Sequence, residues 1–504
     1  MKPLPQFFIT TIYETTYSNS KYQRRIMKTE KSHLHEKILK QFGDDILFDL
    51  IFSSSSLLDV FNENFAKSSS KGIDRLNGFQ FSIRAPFEFF TASAKIKAGT
   101  FRFSPFLEVL RPKSRDKPPR LIGIPTIRDR VVLHQLNKFL AALYPERVPK
   151  NVASTYVREL SNDLRDKSSS TTWICSTDIK TFYDSINQSR AISVLEKRIK
   201  SKSALKLIRH AITTPTVPQN TSKSRHKEYK SEGIPQGLAI SNILASIYMQ
   251  DVDEAMTKLG VIYYRYVDDV LMYGDEETIF RAYKSLRARL RHRNLSLHKL
   301  GSGKTHIAPL SQKFSYLGYS FHMPTVSVRP STTERFLQSI AAKFSDFTHN
   351  KNKRLERHKY LTEDRLKEIF LLELNERITG AISSKKRYGW IAYFNQITDL
   401  TLLHQIDFAI NGMFKRLKEF KKEPPVQLKK LHRAYFEMKF NPQGGYVRNY
   451  DQITKPIEML ELLVSRGRID PAIPLTDNEI QEKYEKYLKQ ILATMHSDEG
   501  SVYS

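Results

Sequence analysis

The chain has 504 residues, with 81 Lys and Arg against 53 Asp and Glu, a formal charge of +28 and one cysteine. This balance suits either a polyanionic partner such as a phosphate backbone, bound with steep salt dependence, or a merely basic soluble protein, while a lone cysteine excludes an intramolecular disulfide and any multi-cysteine zinc site. Met1–Gln6 has no signal-type apolar core and no run of 18 apolar residues occurs, so a soluble chain of a reducing compartment with no membrane partner is expected.

Taken in order, residues 1–45 are polar and rich in Thr, Tyr and Lys, with a helical stretch near His33–Phe42. The β-rich run Trp173–Thr177 ends in Asp178, and Cys175 within it is expected to be a small buried thiol. The Gly/Pro-punctuated loop Glu232–Asn242 then runs into the helical pattern Ile243, Leu244, Ile247, Tyr248, and its glycines permit close approach of backbone to a ligand. Val261–Arg265 and Val270–Tyr273 flank Tyr266-Val267-Asp268-Asp269, which predicts a hairpin whose tight turn carries two adjacent carboxylates. Such a pair is either an ordinary polar turn or a cation site, because like charges repel unless a cation lies beside them and carboxylate oxygens are what Mg²⁺ accepts.

With Asp178 placed against that hairpin, three carboxylates would form a pocket for two divalent ions able to serve an in-line phosphoryl displacement. The order of the parts permits this without showing that the strands adjoin. Gly301-Ser302-Gly303-Lys304-Thr305 lacks the spacing of a Walker phosphate loop. Leu366, Ile369, Phe370, Leu374 and Ile378 fall at helical spacing, as do Leu402, Leu403, Ile406, Ile410 and Phe414. Both stripes are expected to be core. Pro424-Pro425, Pro442–Gly445 and Pro471–Pro474 punctuate the C-terminal part of the chain, which predicts a small helical module over about 424–490 with a polar tail. Basic clusters at Lys223–Lys230, Lys351–Lys359, Lys385–Arg387 and Lys415–Lys422 are either nucleic-acid contacts or solvated faces.

The ordered set Asp178 with Phe182-Tyr183, Gly233-Ile234-Pro235-Gln236-Gly237 and Tyr266-Val267-Asp268-Asp269 resembles the palm of a reverse transcriptase. Tyr316-Leu317-Gly318-Tyr319 resembles the family's primer-grip hairpin. Phe65–Asp74, Arg111-Pro112-Lys113, Arg120–Pro125 and Asp129–Val132 are similar to the opening segment and fingers of group II intron and related bacterial enzymes, and Gly389–Phe394 to the start of a thumb helix. The resemblance implies an α+β right-hand polymerase: an N-terminal extension (1–45), fingers and palm with an antiparallel sheet (46–330), a helical thumb (331–423), and a helical C-terminal appendage with a polar tail (424–504).

It also implies roles. Asp178, Asp268 and Asp269 would be catalytic, and with Ile179 would form the metal set for two Mg²⁺ ions, Mn²⁺ being an alternative. Lys304 would protonate the leaving pyrophosphate. Lys113, Arg120, Tyr183, Gln236 and Gly237 would bind the incoming dNTP, with Tyr183 as a steric gate against a ribose 2′-hydroxyl. The implied partners are an RNA template and a DNA product, and self-association is open.

Neither the Asn-Ala-x-x-His segment nor the Val-Thr-Gly thumb motif usual in retrons is present, and the roughly 80 residues after the thumb hold no cysteine for an intron-type endonuclease. The loop Gly237–Asn242, without a Pro after Ser241, leans the same way. The chain therefore most resembles the defence-associated, abortive-infection type of bacterial reverse transcriptase. That implies a cytoplasmic RNA-directed DNA polymerase acting against phage, copying an associated non-coding RNA and open to protein priming. A template-independent, protein-primed polymerase and an intron-like RNA-binding maturase or scaffold with a vestigial site remain alternatives. For priming, Tyr503 in the polar tail is the candidate hydroxyl, with Tyr13 and Tyr17 as rivals and no role for any of them as the third possibility.

Overall fold

The computed structural model describes residues 21–111, 118–149, 151–222, 224 and 231–498, with side chains from Leu34 onward. Lys113, Tyr503, Tyr13, Tyr17 and most of Lys223–Lys230 lie outside the described residues. The chain divides into two compact units: one holds the described residues up to Pro149 with Tyr183–Gln250, the other those up to Phe182 beyond that point and Asp251 onward.

The first unit begins with a helix over Lys21–Ile51, wider than the stretch read from sequence and broken at Gly43, where φ is 84°. A residue without Cβ tolerates that dihedral. Phe48, Phe52, Phe61, Phe89 and Phe139 are buried in this unit, and Phe48 meets Phe139 edge to face with ring centroids 5.4 Å apart. Gln135 closes the polar gap in that core by donating from Nε2 to the Ile51 carbonyl at 2.8 Å. Strands Phe106–Arg111 and Arg120–Ile124 pair antiparallel with Arg111 opposite Arg120, and Thr216–Val217 adds a parallel edge.

Segments far apart in sequence are tied together here. Arg130 donates from Nε to the Pro125 carbonyl at 3.0 Å and from Nη2 to Ser70 Oγ at 3.0 Å. A Cβ on Gly72 would come within 2.7 Å of the Thr126 backbone, so only glycine fits. Asp129, fully buried, accepts from Ser104 N at 2.8 Å and from Arg128 Nε at 2.9 Å.

The second unit is built on a four-stranded antiparallel sheet: β1 (Trp173–Asp178), β2 (Ile262–Tyr266), β3 (Asp269–Gly274) and β4 (His306–Pro309), in the spatial order β2-β3-β1-β4. Alternation decides its faces. Ile174 and Leu271 enter a core that continues through Phe336, Phe344 and Phe370 of the long helices Pro330–Arg357 and Glu363–Thr379. Leu366, Ile369, Phe370, Leu374 and Ile378 are all buried, as their spacing predicts. A second cluster joins Ala381 and Tyr450 to Leu462, Tyr484 and Tyr487 of the C-terminal helices Pro456–Ser465 and Asp477–Asp498.

Gly389–Phe394 departs from expectation. Its helix covers only Trp390–Tyr393 and ends at Phe394, whose ψ of 34° leaves the helical range, while Trp390 is buried and stacks on Phe336 at 4.9 Å. Among the described residues no helix is long and apolar enough to cross a membrane.

Cys175 is buried in β1, and burial pushes its thiol up to about 12. The thiolate is the reactive form. Native protein at pH 8 is therefore expected to resist a thiol reagent that labels it fully after denaturation; rapid native labelling would contradict this placement.

Candidate active site

Alternating residues at Ile262–Tyr266 and Asp269–Gly274 make a two-residue hairpin with Tyr266 opposite Asp269. The turn is therefore Val267-Asp268. Asp269 is the first residue of β3, a correction to the expectation that both acids sit in the turn, and the reason is register: one more ladder pair forms at the hairpin mouth. Val267 has φ of 58°, a region that a β-branched residue enters only under strain. The strain is held by Arg265, whose Nη1 donates to the Val267 carbonyl at 3.0 Å while Nε and Nη2 grip Asp253 at 2.7 and 2.6 Å. Arg265 and Asp253 are largely buried, and a bidentate pair of this kind fixes orientation as well as charge.

β1 lies beside β3 with Asp178 directly opposite Asp269. The next residue, Ile179, donates its N–H to the Asp268 carbonyl at 3.0 Å. One acid of the expected trio is thus a cross-strand neighbour of Asp178, and the other is joined to the residue after it by main chain. Lys304 reaches the same place. Thr305 precedes β4 and donates from Oγ1 to the His298 carbonyl at 2.7 Å while lying 2.8 Å from Thr177 Oγ1 of β1. That anchor brings the Lys304 ammonium onto Asp178 Oδ2. His298 Nε2 stands 3.6 Å from the same oxygen and 3.3 Å from Lys304 Nζ.

His298 was not singled out in the sequence. Its spacing of six residues from Lys304 across the glycine turn is the signal that could have found it. The Gly301–Thr305 segment leads into a strand and not a helix, consistent with rejecting a phosphate loop.

A cleft of about 490 Å³ adjoins these groups, lined by Asp178, Asp269, Lys304, His306, Lys313 and Arg329 among others. Among the described residues no group of three or more His, Cys, Asp and Glu is set to hold a metal ion, and the Asp178 carboxylate is instead engaged by Lys304. The donor set nevertheless fits Mg²⁺ in kind: carboxylate oxygens on adjoining strands, with the Asp268 carbonyl already spent on Ile179.

Tyr316-Leu317-Gly318-Tyr319 closes a hairpin between strands Phe314–Tyr316 and Tyr319–His322. Leu317 and Gly318 have φ of 51° and 82°, the two left-handed residues of a tight hairpin turn. Tyr316, Leu317 and Tyr319 are buried. Tyr319 donates its hydroxyl to the Tyr393 carbonyl at 2.5 Å, and Tyr393 donates to the Leu317 carbonyl at 3.3 Å. Burial first, and then the nearby Asp269 carboxylate, push the Tyr316 phenol well above its ordinary range, so it stays neutral. With these side chains spent on packing, the backbone of the turn is what it can offer a ligand.

Within the first unit the Gly233–Gly237 loop is bound to Tyr183 and to strand Arg120–Ile124. Ile234 N donates to the Tyr183 carbonyl at 2.8 Å, and Gly123 N to the Gln236 carbonyl at 2.8 Å. Gly237 has φ of 97°, and a Cβ there would meet Ile122 Cγ2 at 2.7 Å. Gln236 Nε2 lies 3.4 Å from Asp184 Oδ1, and Tyr183 donates its hydroxyl to Asn242 Oδ1 at 2.5 Å. Tyr183, Gln236 and Gly237 are thereby brought together around the strand that starts at Arg120.

Residues 112–321 match the family model described as reverse transcriptase (RNA-dependent DNA polymerase). The chain carries a reverse transcriptase domain. It is 31% identical over 173 residues to an uncharacterized 91 kDa protein in a cob intron of Schizosaccharomyces pombe, covering 32% of this chain and 20% of that protein. It is 25% identical over 169 residues to the group II intron-encoded protein LtrA of Lactococcus lactis, covering 32% of this chain and 27% of that one. The chain thus spans less than a third of the length of these two curated relatives. Among solved structures, a telomerase from Candida albicans in complex with a TWJ fragment of telomeric RNA aligns at 14% identity and a TM-score of 0.38, over 68% of each chain. Asp178, Tyr183, Gln236, Asp268, Asp269, Lys304 and Tyr316–Tyr319 all lie within the matched domain.

Proposed function

We propose that the chain is an RNA-directed DNA polymerase acting in antiviral defence, which extends DNA from dNTPs on an associated non-coding RNA. The observation that carries the polymerase chemistry is the register of Asp178 against Asp269, with Ile179 bonded to Asp268, inside a matched reverse transcriptase domain. Asp178, Asp268 and Asp269 would hold two divalent ions, which when bound supply Lewis-acid stabilisation of the attacking and leaving oxygens. The other groups act on their own account. The Arg265–Asp253 pair fixes the strained turn and so the direction in which Asp268 projects. Lys304, its Nζ held beside Asp178, is placed as the donor to a leaving phosphate. Tyr183, held by Asn242, is the ring against which a ribose 2′-hydroxyl would be excluded.

The surplus of cationic residues supports a polyanionic template. The defence role and the non-coding RNA rest on the departures from retron and intron enzymes and on the Gly237–Asn242 loop, without a Pro after Ser241, which together resemble the abortive-infection group. Incubation of the purified chain with Mg²⁺, labelled dNTPs and its copurifying nucleic acid, followed by sequencing of product and RNA, tests the proposal. DNA complementary to one copurifying RNA is the expected result. No incorporation with Mg²⁺ or Mn²⁺ on any supplied RNA would overturn the polymerase reading, and product unrelated to any RNA present would replace it with template-independent synthesis. Label that stays on the protein after denaturation, and is lost in Tyr503→Phe, would identify the priming hydroxyl.

A further inference from the structure

The helix Ala85–Lys97 is apolar on two faces. Its inner face, with Phe89 and Ile96, is buried in the first unit. Its outer face carries Phe87 and Phe90, 74% and 67% exposed, and the stripe continues through Ile83 at 90% and Phe79 at 79% on the preceding turn. A spacing of three places Phe87 and Phe90 side by side on this helix, with Ile83 and Phe79 on the turn and the short helix Gly78–Ser82 that lead into it. A helix hydrophobic all round is ordinarily covered on both sides, and contiguous exposed apolar patches mark interaction sites. Among the described residues nothing covers this one.

Charge selects the occupant. Residues 79–94 contain one Arg and one Glu, and the helix adds Lys95 and Lys97 only in its last turn, at one end of the stripe. A nucleic-acid surface would concentrate Lys and Arg here, and Ile83 offers no ring for a base to stack on. Arg84 and Glu88 lie within the stripe 3.9 Å apart, their side chains 49% and 30% exposed. Two such helices crossing antiparallel about a twofold axis would set Arg84 of each copy against Glu88 of the other, so the patch complements itself. With about 200 Å² for a fully exposed aromatic side chain, the row offers roughly 600 Å² per copy. A pair would bury about 1,200 Å², the lower bound for a stable interface.

We propose that this stripe is a homodimer interface, in which a second copy of the chain docks its own Phe79, Ile83, Phe87 and Phe90 across a twofold axis. The inference is independent of the polymerase reading. Sedimentation velocity of the full chain, treated with nuclease and held in high salt, tests it. A dimer is expected for the wild type and a monomer for Phe87→Asp with Phe90→Asp, whose exposed positions leave the circular dichroism melt unchanged. Arg84→Glu alone is expected to weaken dimerisation by about tenfold, and Arg84→Glu with Glu88→Arg to restore it. A monomeric wild type, association that nuclease abolishes, or a dimer that survives the double aspartate variant would each overturn the proposal. Failure of the charge swap to restore association would overturn the twofold pairing.

Discussion

Asp268→Ala is expected to lower the rate of nucleotide incorporation by at least about 10³-fold with the fold intact. The ion that Asp268 would help to hold contributes several kcal/mol to the transition state, and each 1.4 kcal/mol is about a factor of ten in rate. The fold survives because the bond from Ile179 to residue 268 is accepted by main-chain carbonyl, which alanine keeps, and because Arg265 holds the turn through the Val267 carbonyl. Asp178→Ala should behave alike in activity. It also strips the partner from Lys304, so a change in melting temperature there is a separate matter of charge. Primer extension on an RNA template, run beside a thermal melt, reads both quantities. Incorporation within about tenfold of wild type in Asp268→Ala would sink the carboxylate mechanism.

The parts of this site differ in how far a linear reading reaches them. The hairpin at 262–274 was legible because strand alternation and a two-residue turn are local signals. Its register was less so: whether Asp269 is a turn or a strand residue depends on one extra pair, and only the ladder decides it. The pairing of Asp178 with Asp269 joins positions about ninety residues apart, and the sheet order β2-β3-β1-β4 that produces it is a tertiary outcome. Family resemblance suggested that proximity, and residue spacing could not.

Arg265 and Asp253 carry no signal in the linear sequence for a related reason. An Arg on a strand and an Asp on a short helix look like ordinary surface residues until the fold buries them against each other. The helix Glu363–Thr379 shows the same limit. The stripe from Leu366 to Ile378 was readable as one buried face, yet Glu373, Glu376 and Arg377 of the same helix are buried too. Periodicity describes the apolar face and is silent about polar residues whose counter-charges arrive from elsewhere.

Those counter-charges yield the largest expected change in stability. Glu376 Oε2 accepts from Arg466 Nη2 at 2.9 Å, with the two side chains 3% and 2% exposed. Its other oxygen accepts the hydroxyl of Tyr450, and burial first, then the Glu376 charge, push that phenol above its ordinary range, so it remains a neutral donor. Glu376→Ala would leave the Arg466 guanidinium buried without its carboxylate, although Arg466 Nε and Nη1 already lack hydrogen-bond partners. Breaking a buried pair in this way costs about 3–5 kcal/mol. Glu376→Met with Arg466→Met removes both charges and replaces them with flexible apolar volume, so it should cost much less than either single change. Urea unfolding of Glu376→Ala and of the double variant decides the matter. If the double variant is as unstable as Glu376→Ala, the penalty comes from lost packing and the stranded Tyr450 hydroxyl and not from a stranded charge, and the ion pair is not what ties the Pro456–Ser465 segment to the Glu363–Thr379 helix.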